Sequence, residues 1–246
     1  MAIAVDASTP VRWSGSSASN NAITSASFTA PANALLVCCP ILDGDTTYDP
    51  FTWTDKVTDS GGLTWTLHIL RDNMETTEGG GSAIYTARTT SAAARTVSFN
   101  PTWFANTGTA LQKSAKLYVL TGVDVDGTPV DTTGANNEGG SLTNSINTTS
   151  ITPGGTGLLI VNDADWTSSG TFQASSDLTQ DTADFADISV CSGYKVCTSG
   201  VGVTGNLNAA GTGAVQHKWV QIVVREASVT KARMVFKRSY RFFRVR

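Results

Sequence analysis

FTAPANALLVCCPI (residues 28–41) is the stretch on which the fold turns. A Pro-bearing turn leads into LLVCCPIL (35–42), an apolar run too short for a helix of ordinary length and bounded by turn formers, as a buried strand would be. The same device returns later in the chain. SFTAPANALLV (27–37) is echoed by SITPGGTGLLI (150–160): Ser, an apolar residue, Thr, a Pro-bearing turn, then a double-Leu strand. Outward from these two anchors lie LTWTLHIL (63–70), SAIYTART (82–89), RTVSFN (95–100), KLYVLTGV (116–123), GLLIVNDA (157–164), ISVCSGYKV (188–196) and KWVQIVVRE (218–226). All are short, rich in β-branched and aromatic residues, and separated by Gly, Ser, Asn, Asp and Pro. The pattern predicts an all-β protein, a two-sheet antiparallel sandwich of jelly-roll type built from two related halves. TALQKSAK (109–116) is the one place where a brief helix is expected.

The echo extends further. A close pair of acids follows each double-Leu strand, Asp43/Asp45 and Asp163/Asp165. Each half then has a Tyr-bearing strand (Tyr85, Tyr194) and closes on a strand opening with Lys (Lys116, Lys218). Neither half looks able to cover its own apolar face. The expected organisation is therefore an N-terminal segment (1–9), one sandwich domain (10–228) and a C-terminal arm (229–246).

Charge is divided unevenly. The 246 residues hold 17 Lys/Arg and 20 Asp/Glu. Seven of the bases, Lys231, Arg233, Lys237, Arg238, Arg241, Arg244 and Arg246, fall in the last sixteen residues, which contain no acid. That leaves ten bases against twenty acids in residues 1–230. The arm also carries Phe236, Tyr240, Phe242 and Phe243. A strongly basic, aromatic end on an acidic body reads as an interaction tail. Strand and helix periods each fit the arm in part, and four destinations are open to it. It would bind nucleic acid with a log–log salt slope near about −6, lie on a membrane surface, anchor to a protein partner, or pair with its own body. Four aromatics need an apolar place as well as an acidic one, which favours docking on protein. No apolar run reaches the roughly 18 residues of a spanning helix. The opening MAIAVDASTPVRW shows no basic region followed by an apolar stretch and is read as lacking a signal peptide.

Motifs of chemistry are sparse. GVGVTG (200–205) matches G-x-G-x-x-G, but NLNAAGTGAV follows, too rich in Gly and Asn for the helix that a dinucleotide site needs, so no cofactor is expected. His68 and His217 sit beside Trp-bearing runs, with no hydrolase or zinc signature around them. Cys38, Cys39, Cys191 and Cys197 match no metal or redox spacing and are read as buried free thiols. The pairs Asp43/Asp45 and Asp163/Asp165 place two acids on one side of an extended chain and are weak candidates for Ca²⁺, against a plainer reading as turn caps. Six Trp offer an aromatic surface for a glycan if two of them are exposed. Asn147-Thr148-Thr149 fits the glycosylation acceptor, and on the reading that no signal peptide is present it is expected to stay unused.

The order FTAPANALLVCCPI (28–41), SGGLTWTL (60–67), AIYTART (83–89), KLYVLTGVD (116–124), GTGLLIVNDADW (155–166) and WVQIVVRE (219–226) resembles a β-sandwich module of structural proteins from tailed bacteriophages and prophage regions. The resemblance implies a jelly-roll or immunoglobulin-like sandwich serving as a head decoration or minor tail protein, without enzymatic activity. It implies other virion proteins as partners, many copies per particle, and synthesis in a host cytoplasm. The family has no catalytic motif to carry over, and the arm lies outside the match. A glycan-binding adhesin is the alternative; nucleic acid ranks below it.

Overall fold

The structure is a computed structural model. It describes residues 2–17, 21–44, 55–72, 79–101, 111–125, 127–138, 145–165, 170–172, 177–184, 189–211 and 217–227. Every regular element among them is a strand. The first half contributes β1 (Ala4–Val5), β2 (Trp13–Ser17), β3 (Ile23–Thr24), β4 (Phe28–Ala30), β5 (Leu35–Gly44), β6 (Val57–Asp59), β7 (Thr66–Asp72), β8 (Gly79–Arg88), β9 (Ala93–Arg95), β10 (Val97–Phe99) and β11 (Leu111–Thr121). The second contributes β12 (Val130–Glu138), β13 (Ser145–Asn147), β14 (Gly157–Asp165), β15 (Gly170–Phe172), β16 (Thr179–Asp184), β17 (Ser189–Cys197), β18 (Asn206–Gly211) and β19 (His217–Arg225).

The duplication read from the sequence is carried by the topology. One sheet runs β1-β11-β5-β8-β7, with β2 also on β11; the other runs β12-β19-β14-β17-β16. Strand for strand the orders coincide. Each half adds a three-stranded sheet, β3-β10-β6 in one and β13-β18-β15 in the other, again in matching order. All pairings are antiparallel. The all-β antiparallel sandwich with two related halves is thus the observed architecture.

Three apolar layers fill it. Between the first large sheet and its small one lie Leu36, Cys38, Leu117 and Val119 against Val57, Val97 and Phe99. Between the two large sheets lie Leu35, Val37, Ile84 and Leu120 against Leu158, Ile160, Val220, Ile222 and Val224. Beyond them, Leu159, Val161 and Val223 meet Leu207 and Ile151. The central strands are therefore covered on both faces. That is why LLVCCPIL and GLLIVNDA read as continuous apolar runs rather than alternating ones: successive residues point to opposite faces and both are dry. Each fully buried aliphatic contributes about 1.5–3 kcal/mol, so the buried aliphatics between the large sheets are what hold the halves together.

Several local expectations resolve here. TALQKSAK is not helical: from Leu111 it is the start of β11. Lys113 and Ala115 point to one face, Ser114 and Lys116 to the other, a period of two that the eight letters conceal. Cys38 and Cys39 do face opposite layers, and all four cysteines are free and buried. β1, within the first nine residues, pairs with β11, and Ile3 and Val5 pack into the central layer. Polar β12 and β16, sheet edges both, have no counterpart among the apolar runs.

Candidate functional site

Register shows which residues of the two halves are equivalent. Leu35 lies opposite Leu120 and Arg88; Leu158 lies opposite Val224 and Val196. Two residues on, Val37 lies opposite Tyr118 and Thr86, and Ile160 opposite Ile222 and Tyr194. Two further on, Cys39 matches Asn162, Lys116 matches Val220, and Ile84 matches Ser192. The edge strands complete the set: Ile69 opposite Ile84 matches Asp181 opposite Ser192.

This correspondence corrects the echo in detail. Lys218 matches Ser114, not Lys116. Tyr85 matches Gly193, so Tyr85 and Tyr194 lie on equivalent strands but opposite faces; Tyr85 enters the outer layer of its half, Tyr194 the seam between halves. Asp163 matches Pro40, so the acid pairs are not equivalent.

The two flanks of the seam consequently differ. On one, β7 lies against β12 and β19 with the apolar Ile69, Ile84, Val130, Val220 and Ile222, and Thr86 is bonded to His68 there. On the other, β16 and β17 face β1 and β11 across charge. Arg12 Nε is 2.6 Å from Asp181 Oδ1, and Lys116 Nζ is 2.8 Å from Asp181 Oδ2. The guanidinium also donates to the Asp181 carbonyl (2.9 Å), Ser192 Oγ (2.8 Å) and Ser114 Oγ (3.1 Å). Lys116 Nζ donates to the Pro10 carbonyl at 3.1 Å. Ser192 Oγ passes a hydrogen bond to Asn162 Oδ1 (2.7 Å), and Asn162 Nδ2 reaches Ser82 Oγ (2.9 Å) and the Pro40 carbonyl (3.0 Å). One continuous polar chain thus crosses from the first half to the second and back. Burial alone would raise the Asp181 pKa, but the two cations outweigh it and hold the carboxyl below its ordinary value.

Above this network is a cavity of about 190 Å³ walled by Val5, Thr9, Lys116, Tyr118, Thr179, Gln180, Asp181 and Tyr194. Tyr118 and Tyr194 meet edge to face at 5.5 Å, and the Lys116 ammonium lies 5.8 Å from the Tyr118 ring centre. The Tyr118 hydroxyl, deep in the seam, has no hydrogen-bond partner among the described residues, and burial raises its pKa. Nothing in the sequence marks this site, since Arg12 and Asp181 stand 169 residues apart.

The residues singled out by motif go elsewhere. Asp163 is fully buried in mid-strand, opposite Cys191 and Trp219. Asp43 and Asp165 lie in β5 and β14, and Asp45 is outside the described residues. Among the described residues no three His, Cys, Asp or Glu form a group that could hold a metal ion. GVGVTG is a turn with a bridge from Val203 to Ile151, followed by β18 and not by a helix. His68 bonds Thr86 Oγ1 at 2.7 Å, and burial lowers its pKa. Burial drives the Cys39 thiol up to about 12, and Cys191 upward too, so neither is a ready nucleophile. Trp13 and Trp219 are buried and Trp65 is partly so, while Trp53, Trp103 and Trp166 are outside the described residues. Asp59 organises SGGLTWTL, accepting from the Gly61 and Leu63 amides at 2.7 Å while pairing with Arg95 at 2.9 Å. The arm, with all of its candidate anchoring residues, lies outside the described residues.

The root of the arm is described. The Glu226 amide donates to the Thr156 carbonyl and the Ala227 amide to the Gly122 carbonyl, each at 2.8 Å, so the chain is pinned to both halves as it leaves. Gly122 is at φ 72°, and a Cβ there would stand 2.3 Å from the Ala2 carbonyl oxygen, so glycine is required. Beside the root is an open groove of about 440 Å³ lined by Asp124, Gly154, Gly155, Thr156, Arg225, Glu226 and Ala227. No protein-family model, no curated protein and no solved structure matches this chain.

Proposed function

We propose that the chain is a non-enzymatic structural protein of a tailed-bacteriophage particle. In this reading a surface sandwich is held to capsid or tail proteins by residues 229–246, and many copies on a symmetric shell make each contact effective. The observation that carries the proposal is the division of charge: an acidic body and an acid-free arm with seven bases and four aromatics. The root supports it. Backbone hydrogen bonds from Glu226 and Ala227 to different halves would pass a pull on the arm into the whole sandwich rather than peel off one strand.

Deleting residues 231–246 should leave a folded, monodisperse sandwich that is no longer recovered with purified particles. The measurement is the ratio of this chain to major capsid protein in gradient-purified particles, with the deleted chain against the full one. Equal incorporation would remove the anchor role. Gold-labelled antibody to residues 10–228 would then separate heads from tails, and particles without label would overturn the virion reading itself.

A further inference from the structure

We propose that the cavity on the charged flank of the seam binds a single neutral sugar ring. The inference is independent of the virion reading, because it rests on the divergence of two equivalent flanks. The other flank closes the seam mainly with the apolar Ile69, Ile84, Val220 and Ile222, beside the His68–Thr86 hydrogen bond. Of their counterparts, Asp181, Ser192 and Lys116 give up that packing, while Tyr118 stays within it. Buried ion pairs stabilise a fold little better than apolar residues of the same volume, so stability does not account for the exchange.

The walls define the ligand. At about 190 Å³ the space equals roughly six water molecules at ~30 Å³ each and lies below the range of drug-sized pockets, so one ring fits. The charged group most open to the cavity is the Asp181 carboxylate, 27% exposed, while Arg12 and Lys116 stand behind it at 7% and 10%. An anion meets the carboxylate; a cation meets the two bases behind it. A neutral ligand avoids both. Asp181 retains free lone pairs to accept from a hydroxyl, the Thr9 and Thr179 hydroxyls both donate and accept, and the half-buried Tyr194 presents an aromatic surface to C–H groups. Adjacent hydroxyls on a ring with an apolar face complement that set.

The test is saturation-transfer NMR on the full chain with glucose, galactose, mannose and N-acetylglucosamine as probes, and glucuronate as the charged control. At least one neutral sugar should receive transfer through its ring C–H protons, and glucuronate should receive less. Tyr194→Ala should weaken binding about tenfold or more. Thr179→Trp, at an exposed edge-strand position, should block the cavity while leaving the thermal midpoint unchanged, and so serves if Tyr194→Ala unfolds the chain. Absence of transfer from every neutral sugar at millimolar concentration, undiminished transfer in the Thr179→Trp chain, or stronger transfer to glucuronate would overturn the proposal.

Discussion

The two flanks of the central seam occupy equivalent places in a duplicated sandwich, yet one is closed by Ile69, Ile84, Val220 and Ile222 and the other by Asp181, Ser192, Lys116 and Tyr118. The first flank needs mainly shape, with the His68–Thr86 hydrogen bond as its polar contact. The second needs every polar atom matched, and largely achieves it: two cations share one carboxylate, and serine and asparagine carry the hydrogen bonds into the interior. The comparison separates two tasks that a single flank would confuse. Apolar packing joins the halves. The charged flank fixes their alignment, because a displacement along the strands would leave buried charge without a partner. It also borders a cavity, walled in part by Lys116, Tyr118, Asp181 and Tyr194.

Substitutions can break or sharpen this contrast. The largest loss is expected from Ile84→Ala on the apolar flank, about 3–4 kcal/mol in urea unfolding, since a fully buried isoleucine leaves both its transfer energy and a void behind. Arg12→Ala on the charged flank should cost somewhat less, about 2–3 kcal/mol, because Asp181 keeps Lys116 and some contact with water. A loss under about 0.5 kcal/mol would show that the network aligns nothing. Copying one flank onto the other, with Lys116→Val, Asp181→Ile, Ser192→Ile and Asn162→Cys together with Arg12→Met, removes the buried polar partners as a set and should leave stability within about 1 kcal/mol of the parent or raise it. Sugar binding would be abolished in that chain, and a large destabilisation would mean that the flanks are not equivalent.

The smallest effect is on pH dependence. The Asp181 carboxyl titrates below its ordinary value in the folded chain, so its contribution is complete above the unfolded value of about 3.9 and is lost as pH falls toward the folded value. The five-residue exchange should flatten that acid limb. His68 acts earlier. Burial lowers its folded pKa, so the unfolded chain takes the proton first and stability declines as pH falls below about 6.5. His68→Gln should remove that decline and leave the acid limb in place, measured as thermal midpoint between pH 7 and pH 3.

The sequence placed the central strands well. LLVCCPIL, KLYVLTGV, GLLIVNDA and KWVQIVVRE fall on β5, β11, β14 and β19, because strands dry on both faces spell continuous apolar runs. Polar β12 and β16 escaped notice, since an edge strand with one solvated face has no apolar run to show. The echo was real in its double-Leu anchor and unreliable in its ornaments. Lys116 and Lys218, or Tyr85 and Tyr194, match as letters in similar runs, yet pairing sets them in non-equivalent places or on opposite faces.

By itself, then, the sequence determined the all-β class, the repeat and the separation of an acidic body from a basic aromatic arm. These depend on composition and on periods of two, which are local properties. Tertiary structure alone decided the register between halves and the gathering of Arg12, Lys116, Asp181 and Ser192 at one flank. A slip of one residue in strand pairing turns every side chain to the other face, and only long-range packing selects among slips. A site assembled across 169 residues of chain has no local signature to read.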